Sequence, residues 1–204
     1  MNINVSDLSK SQAYFALTQT VLPRPVAWVL SEHENGKLNL APFSYFTPVC
    51  SDPPLVMFSV GKKPDGSPKD TWRNIVERKE FVIHLAQREL AVEVTRTART
   101  LPAGESELEL CDLETVAFEG SRLPRLAAAR VAFACELYQT QEIGEGPQQL
   151  IFGQIKQIWL DDEAAVMDAQ GRLKVDARQI DPVGRLGGSE YVSFGDILDI
   201  PRDA

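Results

Sequence analysis

The apolar positions of the chain fall in short runs separated by turn-forming residues. Residues 26–30 are apolar and partly β-branched, begin behind Pro23 and Pro25 and stop at Ser31, as a strand does. Glu34-Asn35-Gly36 follows. The Asn-Gly pair favours the positive φ angles of a tight hairpin, so residues 38–40 are expected to open a second strand antiparallel to the first. Residues 55–60, 81–85, 131–140 and 150–160 read as further strands, with 173–175 as a short one. Helical spacing is confined to residues 14–19, 69–78 and 90–97. Strands divided mainly by turns predict a mainly β fold, an antiparallel barrel with a few covering helices rather than a βαβ array. The polar stretch 99–109 is expected to be an exposed loop, and 120–130 another connection. Strands resume after both, so 1–204 is expected to be one domain with its core at about 12–195.

Composition narrows the function. The 204 residues are 44% hydrophobic and 25% charged, enough to fold around a core of their own. With 21 basic and 29 acidic side chains the net charge is −8, which argues against a surface built to hold nucleic acid. Cys50, Cys111 and Cys135 stand far apart with no C-x-x-C, as free thiols in a reducing compartment. His33 and His84 are the only histidines, so no zinc spacing can be written and no metal site is expected. The N-terminus lacks the pattern of a secretory leader, and no stretch approaches the roughly 18 apolar residues of a membrane span. A cytoplasmic location away from membranes is the expectation.

Three segments carry candidate chemistry. In Gly61-Lys62-Lys63-Pro64-Asp65-Gly66-Ser67-Pro68-Lys69-Asp70-Thr71, Ser67 suits a helix N-cap, Pro68 the first helical position, and Asp70 the third position of a capping box. The first-turn amides, Lys69 and the Thr71 hydroxyl would together suit a phosphate; a capped surface helix is the plainer alternative. In residues 39–47 a proline interrupts a strand-like run that continues with Phe43, Tyr45 and Phe46. An edge or bulge there would free backbone groups to read the rim of a flat heterocycle, while the alternative buries the aromatics in the core. Residues 181–191 join flexible glycines to Arg185 and Tyr191, as an arm over a ligand or partner or as an ordinary loop.

Standard alternatives fail on their own terms. Gly61-x4-Gly66 lacks the lysine of a P-loop, no turn carries G-x-G-x-x-G, and no G-x-S-x-G is present. Ser59 and Lys62 form S-x-x-K, but the serine ends a strand and no K-T-G follows.

Arg24-Pro25-Val26-Ala27-Trp28-Val29, Asn39-Leu40-Ala41-Pro42-Phe43-Ser44-Tyr45-Phe46, Lys69-Asp70-Thr71-x-x-Asn74-Ile75 and Arg185-Leu186-Gly187-Gly188-x-x-Tyr191 together resemble the flavin reductase-like, FMN-binding split-barrel family, flavoredoxin-like proteins included. The resemblance implies a homodimeric split β-barrel with FMN near the subunit interface. It implies that Asn39, Ala41, Pro42, Phe43 and Ser44 meet the flavin ring, that Ser59, Val60 and Gly61 line it, and that Lys69, Asp70 and Thr71 form the phosphate side. Arg185 is implied near the flavin from the C-terminal segment. Hydride would come from NADH or NADPH and pass through flavin N5 to a small-molecule or protein acceptor, so no catalytic side chain is assigned. A flavin carrier without a nicotinamide site is the alternative. His84 stands where relatives often have asparagine, as a structural residue or one that alters the pocket; His33 is expected in solvent at the hairpin turn.

Overall fold

A computed structural model describes residues 1–146 and 148–201. Seven strands form its main antiparallel sheet: β1 (Ala27–Glu32), β2 (Leu38–Phe43), β3 (Phe46–Ser51), β4 (Pro54–Val60), β5 (Glu80–Leu85), β6 (Val131–Ile143) and β7 (Gln148–Leu160), in the order β2-β1-β5-β6-β7-β4-β3. The outermost strands β2 and β3 are joined in the chain by Ser44 and Tyr45 alone. Two residues span only about 7 Å, so the sheet must curl until its edges meet. Tyr45 extends the β3–β4 ladder into this link, its carbonyl accepting the Ser59 N–H at 2.9 Å. The expected barrel is therefore present.

The run at 26–30 lacks alternation because β1 is covered on both faces. Trp28 and Leu30 join one core with Leu40, Val82, Leu90 and Val94. Ala27 and Val29 join the other, inside the curl, with Phe43, Phe58, Phe81 and Ile151. Gly153 on β7 admits the Phe81 ring so closely that a Cβ would strike it. The 33–37 hairpin turns as expected, with Gly36 at φ +80° and the His33 N–H donating to the Lys37 carbonyl at 2.8 Å.

Helix α1 (Lys10–Thr20) starts at a Ser9–Gln12 capping box; α2 (Asp70–Arg78) inserts Ile75 into the inner core; α3 (Ala91–Arg96) covers the outer one; α4 (Ala177–Ile180) is a single turn. Short strands at Arg24–Pro25, Gly184–Arg185 and Tyr191–Val192 form a separate three-stranded sheet. Among the described residues no helix is long and apolar enough to cross a membrane.

Several expectations need correction. Helix α2 begins at Asp70 and its N-cap is Lys69, which makes no side-chain capping bond. Ser67 is spent one turn earlier: its N–H and hydroxyl both donate to Asp65 Oδ1, at 2.9 and 2.6 Å, closing an Asx turn within a small hairpin that pairs Lys62 with Pro68. Asp70 pairs with Lys63 instead of capping. Pro42 sits on an edge strand whose register with β1 runs unbroken, so it marks an edge and no bulge. Phe43 turns into the core, 5.3 Å centroid to centroid from Phe58. Strand β3, hidden by Pro48, was not foreseen.

The stretch 99–109 is no plain exposed loop, because Ser106 and Glu107 are buried and a 3-10 turn runs Glu107–Leu110. Within 120–130 the pair Arg125–Leu126 forms a two-residue strand against Thr115–Val116. His33 is buried, its Nε2 donating to the Glu105 carbonyl at 3.1 Å and its Nδ1 facing the Asn74 amide at 3.4 Å. His84 is wholly structural in its contacts: the Leu126 N–H donates to Nε2 at 3.0 Å, so Nδ1 carries the proton and donates to the Trp28 carbonyl at 3.1 Å. Burial drives its pKa down to about 4, helped by Arg125 and opposed by the Trp28 bond.

Candidate functional site

Where edge strand β2 meets the start of α2, a cavity of ≈ 120 Å³ opens. It is bounded by Asn39, Ala41 and Pro42 from β2, by Lys69, Asp70 and Thr71 at the start of α2, by Lys63, and by residues 97–101 with Glu107. Six residues of the sequence-derived set thus share one wall. The others fall outside it, some beside it and some apart. Lys69 Nζ stands 5.6 Å from the centroid of the Phe43 ring. Gly61 borders a smaller adjoining hollow that Lys69 also lines, together with Trp72 and Gln149. Val60 is fully buried in the inner core, and Ser59 pairs with Leu150.

Ser44 belongs to a second, more apolar groove of ≈ 240 Å³ with Leu17, Val21, Arg24, Tyr45 and Phe46. Arg185 is not brought to the first cavity. It bonds the carbonyls of Glu190 and Gly188 within its own turn and lies over the Tyr191 ring.

The junction is held by a buried amide. Asn39 Nδ2 donates to Thr71 Oγ1 at 2.9 Å and to Ser31 Oγ at 3.3 Å, while Asn74 donates to the same Ser31 hydroxyl at 3.2 Å. Both protons of the Asn39 amide are consumed, which makes it a brace between strand and helix. Lys63 and Asp70 form a mostly buried pair at 2.7 Å, with Arg73 at 3.4 Å on the second carboxylate oxygen.

Lys69 is different, having no carboxylate partner among the described residues. Its burial, and then the charge of Lys63, pull its pKa below the ordinary lysine value, as expected of a cation that lacks an anion. The uncapped first turn of α2 presents amides at the same wall. A half-buried unpaired lysine beside free helical amides fits a phosphate group. The volume is below the roughly 300 Å³ at which pockets enclose a whole drug-sized ligand, so the cavity suits one end of a longer molecule.

Three charged residues absent from the sequence-derived set line this cavity: Lys63, Arg99 and Glu107. Lys63 lay within the segment singled out, but its pairing with Asp70 depends on the Asx turn. Nothing in the pattern around Glu107 signals burial. Arg24 was seen only within a motif; its guanidinium bonds the Thr18, Val21 and Leu186 carbonyls at 2.7, 2.8 and 2.8 Å, tying α1 to the C-terminal segment.

Known proteins bear the same shape. A family model described as a flavin reductase like domain matches residues 19–175. An uncharacterized protein of Halalkalibacterium halodurans is 34% identical over 206 residues, covering 99% of this chain and 96% of that one. The crystal structure of nitrilotriacetate monooxygenase component B from Bacillus cereus superposes with a TM-score of 0.88 at 32% identity, covering 98% of each chain. Pseudomonas fluorescens 2-nitrobenzoate 2-nitroreductase superposes with a TM-score of 0.86 at 29% identity, over 99% of this chain and 97% of that one. Matched over most of its length by sequence and by fold, the chain belongs to the flavin reductase-like domain family.

Proposed function

We propose that the protein is an FMN-binding oxidoreductase of the flavin reductase type, fed by NADH or NADPH and delivering electrons to a small-molecule or protein acceptor. The observation that carries this reading is Lys69, an unpaired cation at the uncapped start of α2 on the wall of a phosphate-sized cavity. When bound, FMN supplies the redox chemistry, taking two electrons as hydride and passing them on. The chain's part is placement. Lys69, Thr71 and the first amides of α2 hold the phosphate, and the backbone of 41–44 at the barrel seam, with 59–61 across it, borders the ring. Asn39 keeps strand and helix at the spacing this requires.

The protein is proposed to act as a homodimer with the flavin near the interface. Tyr14, Phe15 and Leu17 on α1 are 57%, 54% and 53% exposed, an apolar face beside the Ser44–Tyr45 groove. Light scattering at twice 22.6 kDa is the expected result, and a monomer mass would count against a shared site.

The functional test is an anaerobic visible spectrum of protein incubated with FMN and desalted, then given NADH and NADPH in turn. Retained absorbance that bleaches supports the reductase and names its donor. Retained absorbance that stays replaces it with a flavin carrier, and no flavin binding at any concentration overturns the reading.

A further inference from the structure

Glu107 is only 5% exposed and lines the cavity that Lys69 faces. One oxygen, Oε2, accepts the Leu40 N–H of edge strand β2 at 3.0 Å. The other, Oε1, makes no hydrogen bond to another residue among the described residues, yet it is not among the fully enclosed orphan atoms. Because Glu107 lines the cavity, Oε1 is the carboxyl oxygen left for a ligand there. The strap that carries it is pinned on both sides. Thr97 accepts the Trp28 indole N–H at 2.8 Å, Asn35 donates to the Gly104 carbonyl at 2.9 Å, and Ser106 donates to the Leu38 carbonyl. The carboxyl is thus fixed in place against the site and is not a mobile surface group.

We propose that Glu107 is a phosphate-recognition residue that works as a neutral carboxylic acid, donating its proton from Oε1 to an oxygen of the ligand's phosphate. This deepens the FMN reading and rests on it. Burial, rather than the charges around the carboxyl, favours that form. The cavity it lines is shared with Asp70, Lys69 and Thr71 at the start of α2, with Lys63 from the turn before α2, with Arg99 from the strap and with Asn39, Ala41 and Pro42 of β2, whose Leu40 N–H bonds the carboxyl itself. Lys63 is committed to Asp70. Burial is the main cause that raises the Glu107 carboxyl to about 7, with Asp70 adding to it and the Leu40 and Glu107 amides and Lys63 opposing. A phosphate dianion arriving beside it adds negative charge and pushes the same proton on. Above neutral pH, FMN binding then draws one proton from the buffer onto Glu107, whereas riboflavin, lacking the phosphate, draws none.

The experiment is calorimetric titration of the full-length protein with FMN and with riboflavin at about pH 8, in buffers of different ionisation heat, for the wild type and Glu107→Gln. Glutamine keeps an acceptor for the Leu40 N–H and an N–H donor for the phosphate but cannot take up a proton. The expected result is uptake approaching one proton per FMN in the wild type, about none in E107Q, and none with riboflavin in either. Uptake that persists in E107Q belongs to Lys69 and overturns the assignment, as does FMN binding without uptake in the wild type. Loss of both FMN and riboflavin binding in E107Q makes the residue a mere anchor of the strap and also overturns it. If the wild type binds neither flavin, the FMN reading falls and this inference with it. Should E107Q fail to fold, the same titration of Lys69→Met decides: FMN-linked uptake that persists without Lys69 supports Glu107, and uptake abolished there overturns the assignment.

Discussion

Asn39 donates to the Thr71 hydroxyl at 2.9 Å across the junction of β2 and α2, and both residues are almost completely buried. Replacing Thr71 by valine keeps the volume and removes the acceptor, leaving a buried amide proton without a partner. The expected cost is about 1–3 kcal/mol in urea unfolding, with FMN affinity reduced as the wall of the cavity loosens. Thr71→Ser, which keeps the hydroxyl, should retain most of both. Equal stability of the valine variant and the wild type would show that the brace contributes nothing.

Two buried groups should titrate against each other in the stability of the fold. His84 has its folded pKa lowered to about 4 from 6.5, so its contribution is full above 6.5 and is lost as pH falls toward 4, on the order of 3 kcal/mol in all. Glu107 has its folded pKa raised to about 7 from 4.5, so the unfolded chain ionises first and stability falls by a similar amount as pH rises through that window. Glu107→Gln removes one side of this balance. Relative to wild type, the variant should gain about 2–3 kcal/mol between roughly pH 4.5 and pH 7.5, measured as the change in the urea unfolding difference. A difference independent of pH would place the Glu107 carboxyl in an ordinary environment.

Lys69→Met keeps an unbranched stem near the Phe43 ring and deletes the charge. FMN affinity should fall about 10- to 100-fold, the range of one hydrogen bond to a charged group, while riboflavin affinity stays within about twofold. The salt dependence of FMN binding should weaken in parallel. An equal loss for both flavins in fluorescence titration would move the phosphate elsewhere.

Gly153→Ala should destabilise the barrel by about 1–3 kcal/mol, because the new methyl meets the ring of Phe81, itself 1% exposed in the inner core. Combining it with Phe81→Leu, which retracts the obstructing ring edge, should recover part of the loss in thermal unfolding. Additive losses would mean that the backbone, rather than the ring, is what yields.

How legible this molecule was depended on the range of the forces involved. The hairpin at Asn35-Gly36 and the strand runs follow from local backbone preference and burial, and both are written in adjacent residues. The start of α2 departs from its sequence signature because two local rules compete for Ser67. Asp65, two residues earlier, captured both donors of the serine, and the helix then began without a cap. Lys69, Asp70 and Thr71 nevertheless share one cavity wall, since a shift of the helix start leaves their order unchanged. Glu107 could not be found, because its burial is set by the pairing of a strap with an edge strand some 67 residues away in the chain. His33 escaped for the same reason: its partners, Glu105 and Asn74, are distant in sequence.

The outer edge of β2 bears on how this barrel avoids sticking to other copies of itself. An uncovered strand edge is a template for another chain, and successive unpaired amides are what such a template requires. Here the outward amide of Leu40 is already given to Glu107, the Leu38 carbonyl is taken by Ser106, and Pro42 has no amide to offer. Pro42 and Glu107, which wall the cavity, thereby also blunt an aggregation surface, so a substitution made there to reshape the cavity also re-exposes a strand edge.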